Sequence, residues 1–346
     1  MRFHTYSSPH LTGPNEVGLL MHRVAWALAP GALAAIWFFG WGVLLNLALS
    51  LATCLGAEAL MLRLRGRPVG PALRDGSAGL TGLLLGLALP PLAPWWVVLV
   101  GGLFAMVLGK HLFGGLGYNP FNPAMVGYVV LLISFPREMT LWPPPQGVAG
   151  LHPGLLDALA WKFLGQLPVG QGLDSLTMAS PLDAVRTHIG LGQRLEEIRH
   201  LPVFGSLAGR GWEWVNLGYL AGGLWLLRAR LIHWRIPTAV LGSLFVLAMV
   251  FHLYDPDNYA SPLFHLLSGA TMLGAFFIAT DPVTASSTPR GQLIYGAGIG
   301  LIVYVIRNWG GYPDGMAFAV LLMNIATPTL DYYTRPPVFG ERDPDE

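Results

Sequence analysis

Ten apolar stretches, at about 22–39, 41–62, 77–90, 95–109, 122–135, 213–227, 236–252, 262–279, 292–306 and 312–330, decide what this chain can fold into. A helix needs roughly 20 consecutive apolar residues to cross a bilayer core. Several stretches are shorter, and the short ones end in glycine or proline. Pro90-Pro91 is one such break, and the run Gly114-Gly115-Leu116-Gly117-Tyr118-Asn119-Pro120-Phe121-Asn122-Pro123 is another. Backbone groups freed by a break survive at membrane depth only where protein or a wet cavity satisfies them. The pattern predicts an all-α integral membrane protein of about ten transmembrane helices, some of them discontinuous. Only 11% of residues are charged, against about 25% in soluble domains. The 44 glycines and 28 prolines exceed what plain spans need, and small residues let helices approach closely.

The long polar stretch 136–211 divides the ten segments into two groups of five. Ser77-Ala-Gly-Leu-Thr-Gly82 through Pro90 lines up at one constant offset with Gly269-Ala-Thr-Met-Leu-Gly274 through Pro282. A Gly-Gly pair follows each, at Gly114-Gly115 and Gly310-Gly311. Because five is odd, two such halves run in opposite senses, the inverted-repeat arrangement of many transporters. The expected parts are an N-terminal tail 1–21, a first five-helix repeat 22–135, an outer loop 136–211, a second repeat 212–330 and a C-terminal tail 331–346. Thirteen of the 20 Lys and Arg fall on the side of the termini, and six of the other seven lie in the long loop, which the positive-inside rule largely exempts. Arg307 alone breaks the pattern among short loops. Both tails are therefore expected in the cytoplasm, and 136–211 outside, in the periplasm of a bacterium whose inner membrane holds the chain.

Other classes are excluded by what the chain lacks. No basic, aromatic-interleaved stretch tracks a phosphate backbone, so no nucleic-acid partner is expected. One cysteine, Cys54, precludes an internal disulfide or a multi-cysteine cluster built from this chain alone, and its apolar surroundings suit a packed thiol. The first 20 residues are polar and the run after them is long enough to remain in the membrane, so no cleaved leader is expected.

Within the loop lies Asp174-Ser175-Leu176-Thr177-Met178-Ala179-Ser180-Pro181. The proline biases Ser180 toward an extended backbone, which can offer its hydroxyl to a modifying enzyme, although on the residues alone an ordinary Ser-Pro turn is the plainer reading. The spacing Asp174-x-x-Thr177-x-Ala179-Ser180 resembles the acceptor motif of flavin transferases, which attach FMN through its phosphate to a Thr or Ser hydroxyl. Together with Ser7-Ser8-Pro9-His10 and the Gly114–Pro123 run, it makes the whole chain resemble the D subunit of the Rnf-type ion-translocating ferredoxin:NAD oxidoreductase, and more distantly the B subunit of the sodium-translocating NADH:quinone oxidoreductase. Serine stands here where that family usually has threonine, and Met178 where the motif often has glycine.

The resemblance implies a membrane subunit of a redox-driven ion pump that carries covalent FMN on Ser180. It would relay electrons between the ferredoxin and NAD sides and couple this to Na⁺ or H⁺ movement. Its implied partners are iron–sulfur subunits, a second flavinylated subunit and a flavin transferase. In that frame Asp174 serves recognition, Thr177 bonds the backbone or the phosphate, Ala179 keeps the site open, and Arg186 and His188 supply charge-assisted donors. On the residues alone, Arg186 and His188 read first as solvated loop residues. Asn119, Asn122 and Asn324 are candidates for an ion path or a second, non-covalent flavin such as riboflavin; capping of freed backbone groups is their plainer role. Glu58 fits helix packing, snorkelling or an ion site alike, Asp281 helix termination, and Lys110-His111 an anchor at a helix mouth. Trp142, Trp212 and Trp214 read as interfacial anchors, with Trp161 or Phe163 the aromatic candidates for stacking on a flavin. A stand-alone channel or transporter for a small solute, or a cofactor-free anchor, is the alternative function. From the charge count, a reporter fused to the C-terminus is expected to be active only in the cytoplasm; activity that depends on export would break the ten-crossing arrangement.

Overall fold

In the computed structural model, residues 17–148, 153–167 and 172–335 are described; the Ser7–His10 motif and the end of the C-terminal tail lie outside them. The bundle begins with α1 (Val17–Ala27) and α2 (Ala29–Phe39), which run on through Leu28 and together make a 23-residue apolar span. The chain reverses at Gly40, whose φ of 78° favours glycine, into α3 (Trp41–Leu64). The short α4 (Val69–Arg74) leads to α5 (Ser77–Ala88), and the break at 89–94 separates α5 from α6 (Trp95–Phe104). α6 continues as a π-helical turn Ala105–Lys110 and a 3-10 turn His111–Phe113. Gly114, Gly115 and Gly117 then all take positive φ, which carries the chain to α7 (Pro123–Ser134), capped by the Asn122 side chain.

Residues 136–211 are not an open loop. They form α8 (Leu155–Leu164), α9 (Leu173–Leu176), α10 (Pro181–Gly190) and α11 (Leu195–Ile198), tied to the bundle by Gln146 N donating to Phe38 O (2.8 Å) and Leu195 N to Asp257 O (2.9 Å). The second half comprises α12 (Trp212–Arg228), α13 (Arg235–Tyr254), α14 (Pro262–Leu266) and α15 (Thr271–Leu273) with its π-helical continuation Gly274–Ile278, then α16 (Pro289–Trp309) and α17 (Met316–Tyr333). An isolated antiparallel bridge pairs Phe204 with Gly209.

Each of the ten apolar stretches is helical over most of its length, with 262–279 interrupted between Leu266 and Thr271. Among the described residues, five helices are long and apolar enough to cross a membrane: Val17–Phe39, Trp41–Leu64, Trp95–Phe113, Arg235–Tyr254 and Pro289–Trp309. The chain is thus a multi-pass membrane protein, with five rather than ten helices of full span character. Ser77–Ala88 and Pro123–Ser134 are shorter apolar helices inside the bundle. The two echoed stretches differ locally: Ser77–Ala88 is one regular α-helix, whereas its counterpart is a single α turn that widens into a π turn.

Glycines set the closest helix contacts. α13 lies along α16 and α3 along α5, while α2 on α12 and α7 on α17 join the two halves. At Gly300 a side-chain carbon would meet Val240 O and approach Leu244 N to 3.0 Å, so only hydrogen fits between those backbones. Gly300→Val is expected to force α13 and α16 apart at a cost of about 1–3 kcal/mol. Gly242→Ala, on the same helix pair with nothing within 4 Å, is expected to leave the thermal midpoint in detergent unchanged or slightly raised; equal behaviour of the two variants would refute the close-approach account.

Candidate functional site

α1–α2 begins beside one cavity and ends beside another, so the two cavities lie at opposite ends of the same span. Leu20, Met21 and Val24 line the first, Ala35 and Phe39 the second. Both follow the seam between the halves.

The Ser180 end holds a cavity of about 250 Å³. Ser180 is the N-cap of α10: its backbone is extended (φ −65°, ψ 157°), Pro181 opens the helix, and its Oγ accepts from Asp183 N at 3.2 Å. Serine followed by proline starts a helix well, because the hydroxyl satisfies one freed N–H and proline lacks one. The hydroxyl therefore stands at the positive end of the α10 dipole, on the cavity wall. Burial pushes the Asp183 carboxyl above its usual range, and the nearby Arg186 guanidinium pulls it back. Arg186 lines the cavity with Ser180, Asp183 and Asp314. His188 does not; its Nδ1 lies 2.5 Å from Gln193 Oε1. Thr177 Oγ1 donates to Leu173 O at 3.1 Å, closing α9, and Ala179 is exposed. Asp174 falls in α9.

The aromatic wall is not the one expected from sequence. Trp142 and Trp212 pack with ring centroids 4.7 Å apart, and each meets Phe39, at 5.6 and 5.1 Å. All three line the Ser180 cavity, so these tryptophans are cavity residues as well as end-of-helix aromatics. Trp161 is committed elsewhere: its Nε1 donates to Leu92 O at 2.7 Å. No local signal separates the two kinds of tryptophan, because the wall is assembled from α2, α12 and the segment between the halves.

Arg307, the exception in the charge count, is not a surface residue. It is 5% exposed, pairs with Asp314 at 3.0 Å, and donates to His265 O (2.7 Å) and Thr271 Oγ1 (2.8 Å) where α14 breaks before α15. Asp314 also accepts from Ala270 N at 2.7 Å, fixing the inner wall of the cavity.

At the opposite end, a cavity of about 100 Å³ has an apolar floor that includes Leu84, Phe276 and Phe277, and a polar rim of Lys110, Asn119, Asn122 and Asp281. Asn122, Asn324 and Asp281 are brought together across the seam. Asn122 N donates to Asn324 Oδ1 (3.2 Å), Asn122 Nδ2 to Asp281 Oδ2 (3.3 Å), and Asn324 Nδ2 to Thr284 O (3.1 Å). Asn119 Nδ2 donates to Phe121 O, while its buried Oδ1 has no partner among the described residues. Lys110 is not an anchor at a helix mouth. It is 2% exposed, and its Nζ lies 2.8 Å from both Glu58 Oε2 and Ser77 Oγ, with His111 Nε2 3.0 Å from the same carboxylate oxygen.

Lys162, which sequence reasoning passes over, enters the bundle from α8. It is 2% exposed and donates to Asn46 Oδ1 (2.6 Å), Ala93 O (2.6 Å) and Pro91 O (3.4 Å). Burial pulls its pKa down to about 7. Oxygen acceptors on three sides are what a buried amine requires.

Helices interrupted at depth, a seam with a cavity at each end, and a serine hydroxyl presented by a helix start on one cavity wall define a polytopic membrane protein with a ligand-sized pocket. A profile of the NQR2, RnfD, RnfE family matches residues 4–340. Three curated relatives, each named as the D subunit of an ion-translocating oxidoreductase complex, align over nearly their whole length. The protein of Aeromonas hydrophila is 54% identical, covering 98% of this chain and 99% of its own. Those of Escherichia fergusonii and Aliivibrio salmonicida are each 52% identical, covering 99% of both chains. The chain belongs to the NQR2, RnfD, RnfE family.

Replacing Lys162 with Met strands the acceptors at the 89–94 break and is expected to cost about 1–3 kcal/mol per unpaired group. The unfolded lysine keeps its proton to higher pH than the folded one, so between pH about 7 and 10.5 stability rises with pH. Melting of wild type and Lys162→Met across that range is expected to show a gap that widens as pH increases; a gap independent of pH would contradict the assignment.

Proposed function

We propose that the chain is the flavin-bearing membrane subunit of a redox-driven ion pump, with FMN joined through its phosphate to Ser180. The observation that carries this is the Ser180 hydroxyl at the start of α10, on the wall of an aromatic-lined cavity. The residues suit the group. A phosphodiester on Oγ would lie at the α10 N-terminus, where the Asp183 N–H already points at Oγ and the first-turn N–H groups and the helix dipole favour an anion, with Arg186 beside it. The flat face of an isoalloxazine suits the wall of Phe39, Trp142 and Trp212. Bound there, the flavin supplies reversible electron transfer; the protein supplies position, exclusion of water and the local field. Attachment breaks the pyrophosphate of FAD, forms the phosphorus–oxygen bond at Ser180, releases AMP, and passes the hydroxyl proton to the transferase. A tethered carrier stays at high effective concentration beside its partners.

In this reading residues 136–211 face the periplasm of a bacterial inner membrane and both termini the cytoplasm. Iron–sulfur subunits and a second flavinylated subunit deliver and remove electrons between ferredoxin and NAD, and the assembled complex moves Na⁺ or H⁺. The cavity rimmed by Asn119 and Asn122 and braced by Asn324 offers an apolar floor and unsatisfied amide oxygen to a second, non-covalent flavin such as riboflavin, or to a translocated cation. A solute channel finds less support. Along the seam between the two cavities lies a void of about 30 Å³, bordered by Met125, Ile278, Met316 and Ala317, and electrons tunnel through packed side chains whereas solutes do not.

Expressed with a flavin transferase, the intact chain is expected to weigh one FMN phosphodiester more than its sequence. Ser180→Ala should return to the bare mass, and Ser180→Thr should keep the adduct. An unmodified wild-type chain from cells competent for the reaction would remove the reading.

A further inference from the structure

The position of Ser180 is set by a contact on the other side of Pro181. Gly209 lies flat on the proline ring: a carbon added at Gly209 would overlap Pro181 Cγ, come within 2.7 Å of Pro181 Cβ, and reach 3.2 Å from Trp212 Cδ1. Gly209 is itself held fast. It pairs with Phe204 in the isolated antiparallel bridge. Arg210 N donates to Val203 O (2.9 Å), and Gly209 O accepts from Glu213 N (3.1 Å).

The turn before it is wrapped around one carboxylate. Glu213 Oε1 accepts from Leu207 N (2.9 Å) and Ala208 N (2.8 Å), and Oε2 from Ser206 Oγ (3.3 Å). Glu213 belongs to the first turn of α12, next to Trp212 of the aromatic wall. One helix thus carries both Trp212 of the wall and, through the turn it clasps, the surface on which Pro181 rests.

We infer that Gly209 is a positioning residue for the tethered flavin: by seating Pro181 against the Glu213-clasped turn, it holds the Ser180 oxygen in register with the Trp142–Trp212 wall. The inference rests on Ser180 being the attachment point. Gly209 touches neither the ring nor the phosphate; it acts through Pro181, whose fixed φ and burial transmit the position to the preceding residue. Any larger residue at 209 would lift α10 from the wall while leaving the acceptor motif chemically intact.

The test separates loading from placement in detergent-solubilised full-length protein made with a flavin transferase. Intact mass gives the loaded fraction, and flavin fluorescence per bound flavin, with its quenching by iodide, reports whether the ring lies against tryptophan or in water. Gly209→Ala is expected to load like wild type and to raise the unstacked, iodide-accessible population about two- to tenfold, the factor by which losing one aromatic stack shifts an equilibrium. Pro181→Ala, which adds no heavy atom and so introduces no clash, opens the same gap from the other side and should raise it similarly. Combining Gly209→Ala with Pro181→Gly, which removes the Cβ 2.7 Å away as well as the ring so that the alanine methyl refills the space, should bring fluorescence and quenching back toward wild type. Wild-type emission in either single variant, or a double variant no better than the singles, overturns the inference. Absence of the adduct from wild type overturns the attachment reading instead, and mass alone reveals that case.

Discussion

A helix that stops inside an apolar bundle leaves carbonyl groups with no water to turn to, and the architecture of this protein follows from where those carbonyls find donors. The break between α5 and α6 is the clearest instance. Leu89 O and Pro90 O accept from Asn46 Nδ2, Pro91 O and Ala93 O from Lys162, and Leu92 O from Trp161. Five successive carbonyls are met by three side chains, two of them from the segment outside the bundle. The break before α15 is treated alike: Asn216 Nδ2 serves Leu267 O and Gly269 O, and Arg307 serves His265 O and Ser268 O. An interrupted helix here is a binding surface already filled by the chain itself, which is why the interruptions keep one geometry instead of fraying.

That constraint explains which features can be read in advance. Propensity and hydropathy are local, so the ten helical stretches, the breaks at Pro90-Pro91 and Gly114–Pro123, and the extended Ser180 before Pro181 are all visible in runs of a few residues. The donors that stabilise the breaks are not. Lys162 and Arg307 look like ordinary cations on either side of a membrane until the fold shows them pointing inward, 69 residues from Ala93 and 42 from His265 respectively. Lys110 reads as a helix-mouth cation for the same reason; only the approach of α3 reveals that Glu58 stands opposite it. Trp142 and Trp212 become a wall only when the segment between the halves folds against α12 beside Phe39 of α2. Local rules locate the ends of helices, whereas buried charge and aromatic clusters depend on which ends meet.

The same logic ties the two cavities to the seam. Asn122 caps α7 from the first half while its backbone N–H and side-chain amide reach Asn324 and Asp281 of the second. Arg307 and Asp314 brace the far end, where Asp314 holds Ala270 N and lines the Ser180 cavity. Each end of the seam therefore carries polar groups whose partners lie on separate elements, and each opens into a cavity because interrupted helices cannot close-pack there.

Electrostatics then separates the roles of the two ends. At the Ser180 end the buried cation Arg307 is matched by Asp314, and Asp183 stands against Arg186, so the side chains leave little net charge to hold a free anion from bulk water. An α10 N-terminus adds roughly half a positive charge, enough to favour an anion that is already attached but modest for capturing one in competition with solvent and salt. On the proposed reading a covalent link removes the need for capture, and the weak field would serve to orient the phosphate and leave the ring free to lie on the aromatic wall. At the other end Lys110 is paired with Glu58 and Ser77, and the amide oxygen of Asn119 is left without a donor among the described residues. Such a rim suits a neutral, hydrogen-bonding heterocycle or a partly dehydrated cation better than an anion. On the proposed reading, charge crosses the seam between a tethered carrier and a neutral or cationic site, past the small void bordered by Met125 and Ile278.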